Sequence, residues 1–343
     1  MRCYNCMKEL KTESKYCPYC GKESSASNPP HQLAAGTMLN GKYLIGNAIG
    51  EGGFGITYVG FDTTLEIKVA VKEFYPTGYA NRNNNLSNDV TLNYSAQQNT
   101  FQQGKDSFLR EARSIAQFSR ETGLVGVRDF FTANNTAYIV MDYLDGMNLN
   151  RYIYINGTFS INNLIRLMLP LMQSMKKMHA KNVIHRDISP DNIIYVKDGY
   201  FVLTDFGAAR YYSADQTKTM SVILKSGYAP YEQYGKKGKQ GPWTDIYGLC
   251  ATMYKCITGI TPPDVLDRIR ADELKPPSEL GVAISEEVEK VIMRGLSIYS
   301  EQRYQSMPEL INAICDAINT DKEKPSITKH CPKSNGTQNK GCQ

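Results

Sequence analysis

The stretch HRDISPDN, His185 to Asn192, sets a carboxylate and a carboxamide five residues apart, at Asp187 and Asn192. A carboxylate so placed can accept a proton from an incoming hydroxyl and orient it, while an amide oxygen can ligate a hard cation. A second carboxylate, Asp205, follows eighteen residues after Asp187 at the head of Asp-Phe-Gly. Two oxygen donors on adjacent loops suit Mg²⁺, which takes its remaining oxygens from phosphates and water. Lys72 ends the strand-like run VAVK. Glu111 lies three residues after Phe108 and four before Ile115 on a helix-like run, beside its apolar face. An unpartnered carboxylate there is costly, and a Lys72–Glu111 pair removes that cost while aiming the ammonium at anionic oxygens. Read singly, Lys72 is a solvated lysine. Read together, these groups are equipped to move a phosphoryl group to a hydroxyl by positioning and charge.

GEGGFG carries glycines at 50, 52 and 55, spaced G-x-G-x-x-G. The same spacing opens dinucleotide-binding folds, and a plain glycine-rich hairpin turn also fits. Here the following run, GITYVGF, is strand-like rather than helical, so the loop is expected to join two strands. Its backbone can then approach phosphates closely because no Cβ intervenes. Ser189, two residues past Asp187, is short and neutral where a phosphate site calls for a cation. Lys225 is the candidate replacement, folding over the catalytic loop; the competing reading is an exposed loop lysine. A flexible point charge can serve a phosphate from several directions.

The elements that position these groups come in two blocks. YLIGNAIG, GITYVGF, KVAVKEF, GVRDFFTA and TAYIVMDYL are short strand-like runs, with SFLREARSIAQF between the third and fourth showing helical spacing at Phe108, Ala112 and Ile115. Longer helical patterns follow: Leu164, Met168, Leu171 and Met175, then Ile246, Leu249, Cys250 and Met253. Ser306-Met-Pro-Glu309 reads as a capping box opening the last helix. A sheet lobe before a larger helical lobe implies a cleft between them, a favoured place for a ligand. Glu23 to Gly36, rich in Ser, Ala and Pro, reads as a linker. Asn81 to Gln103 is Asn/Gln-rich and is expected to be a surface insertion without function, and the nearly apolar-free segment 321–343 is expected to be disordered.

Four of the nine cysteines fall in the first 20 residues, as C-x₂-C-x₁₀-C-x₂-C at Cys3, Cys6, Cys17 and Cys20. Four thiolates close a tetrahedral zinc site and leave no position for chemistry. Two disulfides or a redox pair are the alternatives. So short a segment cannot build a core, so metal ligation would supply its folding energy. The module resembles a zinc ribbon, and either partner docking or a structural cap would suit it. Cys250, Cys256 and Cys315 read as core residues, Cys331 and Cys342 as parts of a polar tail. The net charge is +5; residues 1–23 carry five basic and three acidic side chains and residues 321–343 five and two, which leaves a neutral body. A neutral body with mildly basic ends is not a nucleic-acid footprint. No run approaches the ~20 apolar residues of a membrane span, and MRCYNCMKEL lacks the apolar core of a secretory signal, so a cytoplasmic protein is expected.

With these residues in place, the chain resembles the eukaryotic-type protein kinase family over about residues 38–320, and in wording bacterial Ser/Thr kinases. The resemblance implies an α+β, two-lobed kinase fold. Its N-lobe would span about 38–143 and its C-lobe about 144–320, after a 1–22 zinc-ribbon-like module and a 23–37 linker. It implies ATP as phosphate donor, with Mg²⁺ (or Mn²⁺) on Asn192 and Asp205, and protein substrates. Lys72, paired to Glu111, would hold the α/β-phosphates, and Asp187 would orient the hydroxyl. The nucleotide pocket would comprise Ile49, Gly50, Glu51, Gly52, Gly53, Phe54, Gly55, Thr57 and Ala70, with Met141 as gatekeeper and Asp142 to Leu144 as hinge. Val140 is expected beside Ala70 in that pocket. Glu232 in GYAPYEQY, Arg303 in EQRY and Asp245 in WTDIYGL resemble the family's structural anchors. Arg186 implies control by phosphorylation at Thr217, Thr219 or Ser221. The chain departs from the family at Ser189, at Thr57 (usually Val), at Tyr231 within Pro-Glu, and at Gly227-Tyr228, which lacks a threonine. The alternatives are a pseudokinase scaffold acting through the zinc head and a small-molecule kinase.

Overall fold

The strand-like runs of the first half are rich in β-branched and aromatic residues, and in the computed structural model they pair as one curled antiparallel sheet. The structure describes residues 1–11, 15–24, 27–206, 210–211, 224–235 and 238–323. The sheet is built from β1 (Met38–Leu39), β2 (Tyr43–Gly52), β3 (Gly55–Asp62), β4 (Ile67–Phe74), β7 (Val127–Ala133) and β8 (Thr136–Asp142), in the order β1-β2-β3-β4-β8-β7. A small hairpin, β5 (Ala80–Asn81) with β6 (Thr91–Leu92), and helix α1 (Gln98–Ala116) lie between β4 and β7. Phe101, Phe108, Ala112 and Ile115 are the buried apolar residues of α1, and Phe101 and Phe108 both pack on Phe74 of β4.

The helical body follows: β9 (Gly146–Asn148), α2 (Leu149–Asn156), α3 (Ile161–Ala180), β10 (Val183–Ile184), β11 (Ile193–Val196), β12 (Phe201–Leu203), β13 (Arg210–Tyr211), α4 (Pro242–Thr258), α5 (Val265–Arg270), α6 (Glu286–Gly295) and α7 (Met307–Glu323). Leu164, Met168, Leu171 and Met175 of α3 and Ile246, Leu249, Cys250 and Met253 of α4 are buried in one core, as their 3.6-residue period predicts. The Ser306 hydroxyl accepts from the Glu309 amide at 3.4 Å, in keeping with the capping box. α7 reaches Glu323, three residues into the segment expected to be a tail.

Two segments differ from the sequence expectation. The supposed linker packs as a strap: Leu33 is fully buried and its amide donates to the Tyr58 hydroxyl at 3.0 Å. The asparagine-rich insertion buries Arg82, Val90 and Phe101, and α1 starts inside it at Gln98. A single leucine and a single arginine in polar runs carry no periodic signal, which is why composition misjudged both.

Candidate active site and metal centre

β2 and β3 form a hairpin whose last pair is Gly52 opposite Gly55, the strand–loop–strand arrangement expected of the glycine loop. Gly55 is obligatory for packing, because a Cβ there would stand 2.3 Å from the Glu73 carbonyl oxygen. Cβ atoms at Gly50 and Gly52 would meet open space, which leaves the loop backbone accessible from the cleft. Across β3 and β4, Thr57 pairs with Lys72, and across β4 and β8 Ala70 pairs with Met141. Paired residues share a sheet face, so Thr57, Ala70, Lys72 and Met141 face one way. Val140 pairs with Val71 and packs into the core on the other face, so it does not line the pocket with Ala70. In the hinge, the Asp142 amide donates to Gly126 at 2.9 Å, its carboxylate pairs with Arg128, and Leu144 packs on the helical core.

Lys72 Nζ donates to Asp205 Oδ1 at 2.7 Å. Burial opposes a charged lysine, but Asp205 and then Glu111 outweigh it and hold the ammonium above its ordinary value. Thus Glu111 acts on Lys72 through its charge, while the direct hydrogen bond goes to Asp205. Lys72 in turn pulls the Asp205 carboxyl below the usual carboxylate range, against burial, and Lys225 adds to the effect. Asp205 holds φ at +56°, a left-handed conformation that costs energy and is typical of functional sites.

In the catalytic loop, Asn192 Nδ2 donates to the Asp187 carbonyl at 2.7 Å and to its Oδ2 at 2.9 Å, fixing that carboxylate. Lys225 Nζ donates to the buried Ser189 Oγ at 2.9 Å and stands 3.5 Å from Asp187 Oδ1. The cation expected at position 189 is therefore delivered to the same spot from another segment. Asp245 of α4 braces the loop from beneath. Its Oδ2 accepts from the His185 amide and from His179 Nε2, both at 2.8 Å, and its Oδ1 accepts from the Arg186 amide at 2.8 Å. His185 Nε2 donates to the Thr204 carbonyl at 3.0 Å and its Nδ1 accepts from the Asp187 amide at 3.3 Å, so the ring is neutral. Burial pushes its pKa below the ordinary 6.5. Glu232 and Arg303 form a buried bidentate pair at 2.8 and 3.1 Å, joined by Thr244 at 2.9 Å. Gln233 donates to the Arg186 carbonyl at 2.8 Å. Thr217, Thr219, Ser221, the last residue of Asp-Phe-Gly, Cys331 and Cys342 lie outside the described residues.

A second polar centre was not legible in the sequence. Glu73, next to Lys72 on β4 but facing the opposite side, is fully buried against Arg82. Tyr58 and Tyr138 donate to it at 2.9 and 2.8 Å. Arg82 also reaches the His31 carbonyl at 3.3 Å. The strap then grips the glycine loop: His31 Nε2 lies 3.1 Å from the Glu51 carboxylate, and Gln32 donates to it at 2.8 Å. His31 foremost holds Glu51 below the usual carboxylate range.

In the head, the sulfurs of Cys3, Cys6, Cys17 and Cys20 all lie within 4.8 Å of one another. Cys3–Cys20 and Cys6–Cys17 are 3.8 and 3.7 Å apart. Sulfurs at ~2.3 Å from a tetrahedral zinc sit ~3.8 Å from each other, so the donor set fits that ion. Each C-x-x-C knuckle ends in a left-handed residue, Met7 at φ +62° and Gly21 at +71°. Met7 tolerates that conformation while its side chain packs against Val59 and Phe61.

Fold and site together are those of a protein kinase domain, and the chain belongs to that family: the protein kinase domain family model matches residues 43–315. The chain is 28% identical over 299 residues to a probable serine/threonine-protein kinase of Clostridium acetobutylicum, covering 84% of this chain and 42% of that protein. It is 27% identical over 311 residues to serine/threonine-protein kinase B of Synechocystis sp., covering 87% and 50%, and 27% identical over 298 residues to PrkC of Bacillus subtilis, covering 84% and 42%. Among solved structures, PpkA-294 in its apo form matches with a TM-score of 0.72 at 37% identity, over 83% of this chain and 99% of that one. The chain thus spans half or less of the length of these curated relatives. No helix among the described residues is long and apolar enough to cross a membrane.

Proposed function

We propose that the chain transfers the γ-phosphate of ATP to Ser and Thr hydroxyls of protein substrates. The observation that carries this reading is the Asp187 carboxylate, held by Asn192 and flanked by Lys225, in one protein kinase domain with the Lys72–Asp205 pair. Asp187 accepts the hydroxyl proton and orients the nucleophile. Lys72, kept charged by Asp205 and Glu111, orients the donor's phosphates. Asn192 and Asp205 are the oxygen donors suited to Mg²⁺, which when bound neutralises phosphate charge. Lys225 takes the place of the lysine absent at Ser189 and meets the transferring phosphate. Arg186 anchors a phosphorylated Thr217, Thr219 or Ser221 and so regulates the site; an active preparation free of phosphate by mass spectrometry would contradict that role. The four head cysteines hold a structural zinc, and metal analysis should find about one zinc per chain, lost in Cys6→Ser. A scaffold without catalysis is the weaker reading, since every group of the phosphoryl-transfer set is present. The test is labelled ATP with matched Ser, Thr and Tyr peptides beside Asp187→Ala. Label is expected on Ser and Thr; label on Tyr, or none above Asp187→Ala, overturns the proposal.

A further inference from the structure

The head does not hang free of the kinase domain. The Asn47 amide donates to the Tyr4 carbonyl at 2.8 Å, and Asn47 Nδ2 donates to Asn5 Oδ1 at 2.9 Å. The Arg2 guanidinium lies over the Phe61 ring at 3.6 Å. Val59 and Phe61, which meet Met7, pair across β3 and β4 with Ala70 and Lys68. They therefore share the sheet face of Thr57 and Lys72, nearer the hinge. The head is a fixed wall beside the hinge side of the nucleotide cleft.

Between that wall and the hinge runs an open groove of about 1070 Å³, which reaches Tyr143 of the hinge and Asp145 beyond it. Among the described residues it is lined by the cations Arg2, Lys8, Lys11, Lys22, Lys68 and Lys197 and by the acids Glu9 and Asp145. Lys197 pairs with Asp145 at 2.7 Å, while Lys68 and Lys8 stand over the rings of Tyr143 and Tyr19 at 3.4 and 4.9 Å. A lysine over an aromatic face keeps outward donors for an anion, and the rings offer apolar surface between the charges. The volume lies at or above the range of small-molecule pockets, which favours a chain segment over a single metabolite.

We propose that this groove docks an acidic segment of a protein partner. Charge complementarity selects the occupant. The chain's own residues 324–343 hold four lysines and no acid, so they lack the charge that this groove would select. Nucleic acid fits less well, because the cations gather at one groove and the body of the chain carries no further net positive charge to track along a backbone. Docking here would hold a partner beside the hinge, in contact with the head, the sheet lobe and the first residues of the helical lobe. The proposal concerns binding and stands or falls independently of the phosphotransfer reading.

The test uses the full zinc-loaded chain and a fluorescein-labelled dodecapeptide of Glu with interspersed Leu, followed by fluorescence anisotropy. Saturable binding is expected, weakening with added salt. It should weaken at least tenfold in the charge-reversed Lys8→Glu/Lys22→Glu variant, with zinc content and activity on a peptide lacking acids unchanged. Lys68→Glu, on the opposite wall, should weaken binding comparably and so exclude a defect confined to the head. Equal affinity for wild type and both variants, no binding of the acidic peptide, or tighter binding of a single-stranded oligonucleotide of equal charge would each overturn the proposal.

Discussion

Replacing Lys225 by alanine removes the cation that, among the described residues, is set against Ser189, at 2.9 Å from its Oγ and 3.5 Å from Asp187 Oδ1. If that ammonium stabilises the charge of the transferring phosphoryl group, its loss acts on the transition state more than on substrate binding. Removing one such fixed donor costs on the order of 10²–10³ in kcat, or ~2.7–4 kcal/mol. The Lys225 and Asp187 side chains are 31% and 32% exposed, so water screens part of the effect and the lower end, about 10², is expected. KM for ATP and peptide should change little. The decisive arm is Ser189→Lys/Lys225→Ala, which brings a lysine from the catalytic loop into the space that Lys225 vacates. That variant should recover to within about tenfold of wild type, whereas Ser189→Ala alone should be nearly silent. The assay is steady-state peptide phosphorylation at saturating ATP. A Lys225→Ala enzyme that turns over within about twofold of wild type would refute the reasoning.

Arg82→Met strands Glu73 without its cation in a fully buried site, and such a break costs ~3–5 kcal/mol. The Glu73→Gln/Arg82→Met pair should restore part of the lost thermal stability, and a single variant as stable as wild type would contradict the buried-pair account. His31→Ala/Gln32→Ala frees Glu51 on the glycine loop; because His31 and Glu51 are about two-fifths exposed, the restraint is worth ~0.2–1 kcal/mol and KM for ATP should rise up to about fivefold with kcat preserved. An unchanged KM would show that the strap does not steady the loop. Burial holds the pKa of folded His185 below the 6.5 of the unfolded ring, so its contribution to stability is full above pH 6.5 and declines as pH falls from there towards its lowered folded value. Unfolding free energies from denaturant titration should fall between pH 7.5 and 5.5 at a slope of up to ~1.4 kcal/mol per pH unit for this one group. Asp205 and Asp245, held below 3.8, lose their contributions only in more acid solution; a flat profile above pH 5.5 would count against the neutral ring.

Most of the residues proposed for catalysis were legible in the sequence because they sit in short local motifs whose order survives folding. Asp187 and Asn192 could be named as candidates from their spacing, and the helical periods of α3 and α4 announced their buried faces. What escaped it depends on contacts between distant segments. Leu33 looked like one apolar residue in a linker, although it finishes the packing behind Tyr58. Arg82 sat among asparagines with no sign that it closes over Glu73, nine residues earlier. The family resemblance put Val140 in the pocket, but the two-residue alternation of β8 turns it into the core. Lys225 could be named as a candidate, yet only the fold brings it to Ser189 across 36 residues of chain.

The central claim is that Asp187, held by Asn192, carries phosphoryl transfer to a hydroxyl. Asp187→Asn keeps the size of the side chain and removes its proton-accepting charge. Calorimetry of nucleotide binding together with single-turnover phosphorylation of a Ser/Thr peptide tests it directly. The account predicts ATP affinity within a few-fold of wild type and a rate of transfer lower by about 10² or more, the scale of a lost general base. Transfer at the wild-type rate by Asp187→Asn, with ATP bound as tightly, would contradict it.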